Sequence, residues 1–176
     1  MNVRDEELQR LEKYAQGLGT KIKYKQHRRG NPGAQWVICQ DGTNEIEVFI
    51  WPGQSKTKTI LNVVHELGHL LAHVYRNRQE DPKTFEAFYQ EDKRKKDTDP
   101  ALPKEQRKLI FLAEKNDAKY REYVWHEVGI KIPQWKLMLD IDLDIFVYKC
   151  YYLTGEIPDS GRVRKAKKRW LKKNSK

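Results

Sequence analysis

Residues 57 to 76, "TKTILNVVHELGHLLAHVYR", constrain the fold more than any other stretch of the chain. Ile60, Leu61, Val63, Val64, Leu67, Leu70, Leu71 and Val74 surround a helix of this length almost completely. A helix apolar on nearly all sides is covered on nearly all sides, so it belongs at the centre of the molecule. The exceptions, Asn62, His65, Glu66, His69, His73 and Arg76, form a single polar stripe. A buried helix with one polar stripe is a scaffold for chemistry or for a polar network.

The stripe contains His65-Glu66-Leu67-Gly68-His69, an HExxH pattern. Residues four apart share a helix face, so the two imidazoles can offer nitrogens to one tetrahedral zinc ion. Glu66 then stands beside the metal, placed to take a proton from a water that the ion has made acidic. Burying two histidines and a glutamate without partners costs several kcal/mol, which makes a metal the economical reading of the stretch. Gly68 leaves room for another element to come close to the helix. His73 continues the four-residue series, but it lies about 12 Å along the axis from His65, too far to share an ion. It reads as a structural or supporting residue.

A third ligand must come from elsewhere. Residues 104 to 127 read as a long helix closed by Gly129, and within it "FLAEKNDAKYREYVWHE" carries Glu114 and Asp117 on one face beside the small Ala118. Glu114 has the longer reach and is the preferred third ligand, with Asp117 the alternative. Glu122, His126 and Glu127 are further donors on the same helix.

The elements around this core are legible in outline. Residues 5 to 17 read as an amphipathic helix with Leu8, Leu11 and Tyr14 at helical spacing, and "TKIKYKQ" alternates like a short strand. "AQWVICQDGTNEIEVFIWP" reads as two strands joined at Asp41-Gly42, a hairpin signal. Asp81-Pro82 starts another helix, "PKTFEAFYQEDKRKK". Residues 134 to 153 alternate like a strand through Leu137, Leu139, Ile141, Leu143 and Ile145, but their length favours a helix. "DIDLD" at 140 to 144 starts like a calcium loop, yet Ile145 stands where the loop needs glycine and Tyr151 where it needs glutamate.

The charge is uneven. The 35 Lys and Arg against 25 Asp and Glu give a net +10, and residues 160 to 176 hold nine basic and no acidic residues, so the remainder carries only +1. The expected division is a domain over 1–159 followed by a basic tail over 160–176, partly frayed at the terminus. Such a tail can neutralise phosphates and offers a route to nucleic acid. No apolar run is long enough for a membrane span, and no apolar leader or CxxC accompanies Cys39 and Cys150, so the expected location is cytoplasmic with no membrane partner.

The stretch "ILNVVHELGHLLAH", preceded by a helix, a strand and a hairpin, resembles the ImmA/IrrE family of metallopeptidases over roughly residues 5 to 150. The resemblance implies a zincin-like α+β fold, with a small antiparallel sheet packed on the central HExxH helix. It also implies a zinc ion held by His65, His69 and an acidic residue on a later helix, with Glu66 as general base. "EKNDAKY" supplies that third position through Glu114 or Asp117, in the manner of gluzincins. "FEAF" around Glu86 matches the acidic motif loosely and reads better as an amphipathic helix face. Members of the family occur on phages and mobile elements and cleave or inactivate a partner repressor. The implied function is therefore zinc-dependent hydrolysis of a protein substrate, such as a DNA-binding repressor. An extended substrate is expected to pair along the strand at residues 45 to 51. Two other readings compete: a zinc-containing module that docks a transcription factor or nucleic acid through the basic tail, and a SprT-type crosslink protease, which lacks here its cysteine zinc ribbon.

Overall fold

The computed structural model describes residues 3–26, 33–39, 42–75, 82–94 and 99–174. Among them are six helices and one three-stranded sheet, an α+β arrangement. They form two compact units, residues 1–75 with 118–133, and residues 76–117 with 134–176.

The first unit begins with α1 (Val3–Gly17), whose buried seam is Glu7, Leu11 and Ala15 at four-residue spacing. Leu8 and Tyr14 of the expected stripe are only half-buried, because the seam is turned one position toward Glu7. The reason is a polar partner. Glu7 Oε1 accepts the backbone N–H groups of Lys131 (2.6 Å) and Ile132 (3.1 Å), so a buried carboxylate caps the segment that follows α4 (Lys104–Val128). Arg10 Nη1 donates to the Gly129 carbonyl at 3.0 Å in the same segment.

Three strands follow: β1 (Thr20–Gln26), β2 (Ala34–Ile38) and β3 (Asn44–Ile50), in the order β1-β3-β2. The β2–β3 hairpin is antiparallel from Ala34↔Val48 to Ile38↔Asn44, as its turn signal implies. Gly42 takes φ +80° in that turn, while Asp41 lies outside the described residues. The expectation of a purely antiparallel sheet is corrected by β1, which pairs parallel to β3 from Thr20↔Asn44 to Gln26↔Ile50. Charge alternation supports that pairing: Lys23 meets Glu45 at 2.7 Å, and Lys25 pairs with Glu47. Glu47 also accepts from Gln35 Nε2 on β2 at 2.9 Å. The Lys25 and Gln35 bonds hold the Glu47 carboxyl below the usual carboxylate range, Lys25 contributing most. The strand at residues 45 to 51 is thus the central one, occupied along both edges. A substrate cannot add to it there, and the expectation of substrate pairing on this strand is withdrawn.

On their other face, Ile46 and Val48 of β3 are fully buried. α2 (Lys56–Tyr75) packs against β2, β3 and α1. Ser55 Oγ caps it by accepting the Lys58 N–H at 3.2 Å. Ile60, Val63, Val64, Leu67 and Leu70 are all fully buried, as an apolar-all-round helix requires.

α4 (Lys104–Val128) is one continuous helix whose first part belongs to the second unit and whose last turns belong to the first. Gly129, at φ +66°, ends it, with Ile130 N returning to the Trp125 carbonyl.

The second unit contains α3 (Pro82–Lys93), the start of α4, α5 (Gln134–Thr154) and α6 (Ser160–Asn174). Asp81, expected as the cap of α3, lies outside the described residues. Ala87, Ile110 and Tyr151 form a small core with Phe88, Leu102, Leu109 and Tyr148 around it. Arg94 grips Glu91 through Nε (3.0 Å) and Nη2 (2.9 Å), and the Tyr151 hydroxyl donates to the same carboxylate. Residues 134 to 154 are helical, with Leu137, Leu139 and Ile141 all buried, and this covering of more than one side is what made them resemble a strand. The "DIDLD" aspartates fall within this helix, which is no calcium loop. Residues 160 to 174, expected to fray, form α6, packed on α5. No helix among the described residues is long and apolar enough to cross a membrane.

Candidate metal centre

α2 presents His65, Glu66 and His69 on one stripe, because positions i, i+1 and i+4 fall within one turn of each other. Glu66 is 7% exposed, and both histidines are half-buried. Their Nε2 atoms face each other 3.0 Å apart. Two ligand nitrogens on one tetrahedral zinc are about 3.3 Å apart, so the pair needs only a few tenths of an ångström to share an ion.

The close approach of α4 to α2 is set at Gly68. A Cβ built there would lie 2.7 Å from Arg121 Cγ and 3.2 Å from the Arg121 backbone nitrogen. Only a residue without a side chain permits that approach, which is the role the sequence suggested for Gly68. From Arg121, two turns toward the helix N-terminus lead to Glu114, within about 20° of the same face. Glu114 is 2% exposed, and its carboxylate joins the two imidazoles: the ligand atoms of His65, His69 and Glu114 all lie within 4.8 Å of one another. This group could hold a metal ion.

Asp117, the alternative ligand, is equally buried but is not part of the group. His73 is half-buried on α2 and also lies outside it. Glu122 is half-buried, while His126 and Glu127 are exposed. Glu86, in "FEAF", is exposed on α3 and bonded to Gln90, as the amphipathic reading expects.

Glu66 stands apart from the ligands yet close to them, with Oε1 3.9 Å from His65 Nε2. At that distance the Glu66 carboxylate borders the ligand nitrogens without belonging to the group. Asn62, one turn before Glu66 and 6% exposed, is a further buried amide on the stripe.

Arg121 is the residue that sequence reasoning missed. It is 2% exposed and sends Nη2 to 3.3 Å from His65 Nε2. In a helix as charged as "EKNDAKYRE" an arginine reads as a solvated face. Its signal was the spacing from Glu114, seven residues and so the same side of the helix.

The chemistry of the donors tests whether a metal fits: the Glu114 carboxylate is buried beside two imidazoles, and a bound cation compensates buried negative charge. The donor set of two nitrogens and a carboxylate is also that of hydrolytic zinc sites. The residues present fit the ion.

Comparison of the chain with protein-family models, with curated proteins and with solved structures found no match.

Proposed function

We propose that the chain is a zinc-dependent peptidase of the gluzincin type, in line with its resemblance to the ImmA/IrrE metallopeptidases, acting on a protein substrate such as a DNA-binding repressor. The supporting observation is the convergence of His65, His69 and Glu114, with the Glu66 carboxylate just beyond them.

In this reading His65 Nε2, His69 Nε2 and a Glu114 oxygen hold zinc. When bound, zinc acts as a Lewis acid, lowering the pKa of a water and polarising the scissile carbonyl. Glu66 is the base: its carboxylate accepts a proton from the attacking water and delivers it to the departing amine nitrogen. Arg121 fixes a positive charge beside His65 and holds α4 against α2, which keeps Glu114 in reach. Because β3 is occupied on both edges, an extended substrate would pair with β2, an edge strand of the described sheet that packs on α2.

The test is Glu66→Gln, assayed with zinc-loaded protein on the proteins encoded beside it, reading new peptide ends by mass spectrometry. Cleavage by the parent, loss of at least 10²-fold in the variant and unchanged zinc content support the reading. Full proteolysis by Glu66→Gln overturns the mechanism.

A further inference from the structure

The basic end of the chain is a built element with a defined outward face. Between Ser160 and Asn174, α6 carries eight Lys and Arg and no Asp or Glu. Its start is fixed by Asp159, whose Oδ1 accepts the N–H groups of Gly161 (2.7 Å) and Arg162 (2.9 Å). Val163, Ala166 and Trp170 fall on one stripe at spacings of three and four and are half-buried, whereas every Lys and Arg of the helix is exposed. The helix packs on α5, and the Trp170 indole N–H donates to Asp142 of that helix. The orientation of α6 is therefore set by its apolar stripe, and its basic side is turned away from α5.

On that side Arg164, Lys165, Lys168, Arg169 and Lys172 recur at helical spacing, within an arc of about 140° and about 12 Å of axis. Five cations so arranged form a continuous positive stripe that only a polyanion can neutralise together. An anionic membrane is the weaker match, because an interfacial helix must bury its apolar face in lipid, and here that face is committed to α5. A duplex backbone needs no apolar contact and presents a negative charge every ~1.7 Å of its axis.

We propose that α6 is a docking surface for the phosphodiester backbone of duplex nucleic acid, bound without sequence preference through its Arg164–Lys172 stripe. No base-reading side chain accompanies the stripe, so affinity is electrostatic and salt-dependent. The proposal does not involve the metal centre and stands or falls apart from the peptidase reading.

The test is binding of the full chain to a 20-base-pair DNA duplex between 50 and 200 mM salt, followed by anisotropy. Neutralising about five phosphates gives a log–log salt slope near −4.5. The variant R164Q/K168Q/K172Q, checked for helix content by circular dichroism, should bind more weakly with a slope near −1.8. A second duplex of unrelated sequence should bind equally. No binding at 50 mM salt, or an unchanged slope in the variant, overturns the proposal. So does equal or tighter binding to phosphatidylserine vesicles or to polyglutamate under the same conditions.

Discussion

Gly68 on α2 and Arg121 on α4 approach so closely that a single methyl group on Gly68 would lie 2.7 Å from Arg121 Cγ. That approach sets how the last turns of α4 meet α2. Gly68→Ala puts two effects in competition. Alanine in mid-helix is favoured over glycine by about 1 kcal/mol, while overpacking costs about 1–3 kcal/mol. The backbone nitrogen of Arg121, 3.2 Å from the new methyl, cannot swing aside, so overpacking wins. Gly68→Ala should lower the unfolding midpoint in urea and weaken zinc binding together. A rise in stability would show that the approach is not tight.

Arg121 makes a separate prediction through charge. Replacing it with Met removes the one buried Lys or Arg among the described residues, so the metal-free protein should lose about 3–5 kcal/mol, the usual cost of leaving buried charge uncompensated. A divalent cation then relieves more repulsion than before. The rise in Tm on adding zinc should be larger for Arg121→Met than for the parent protein, by the linkage between binding and stability. An equal or smaller rise would contradict a role for Arg121 in the charge balance.

Glu7 holds the turn that follows α4. Glu7→Ala strips the acceptor from the Lys131 and Ile132 N–H groups, leaving both without their partner. The expected loss in urea denaturation is about 3 kcal/mol or more, since hydrogen bonds to charged groups contribute about 1.5–3 kcal/mol each. Glu7→Gln keeps an acceptor and should lose less. Equal stability of Glu7→Ala and the parent would remove the capping role.

Asp159 gives a pH dependence. Backbone N–H groups of Arg162 and then Gly161 hold its carboxyl below the usual aspartate range. A depressed folded value means that the cap contributes fully above the unfolded value of about 3.9 and is lost as pH falls through the folded one. The NMR titration of its side-chain carboxyl should therefore have a midpoint below 3.9, with α6 helicity falling over the same range. Asp159→Asn should remove that acid step from the helicity. A midpoint at or above 3.9 contradicts the cap.

What could be read in the sequence depended on whether partners were local. His65, Glu66 and His69 lie within five residues of one helix, so spacing alone assembled them. Glu114 is 45 residues past His69, and Asp117 lies within about 60° of it on the same helix. Spacing does not separate the two, and side-chain length was the sole guide beforehand. The β2–β3 hairpin followed from its turn, whereas the parallel pairing of β1 is non-local and became visible only as the match of Lys23 and Lys25 to Glu45 and Glu47. Arg121 and Glu7 were hidden for one reason. A charged residue in a charged helix looks solvated until its buried partner is known. The same density of charge masked α6, where Val163, Ala166 and Trp170 form a stripe too sparse to stand out among eight cations.

The most direct measurement is the anomalous scattering of crystals grown with zinc, collected at the zinc edge. The account predicts one ion per chain, with His65 Nε2, His69 Nε2 and a Glu114 oxygen at ~2.0–2.2 Å and Glu66 outside ligand distance. A peak that leaves Glu114 uncoordinated, or no peak between the two histidines, would contradict it.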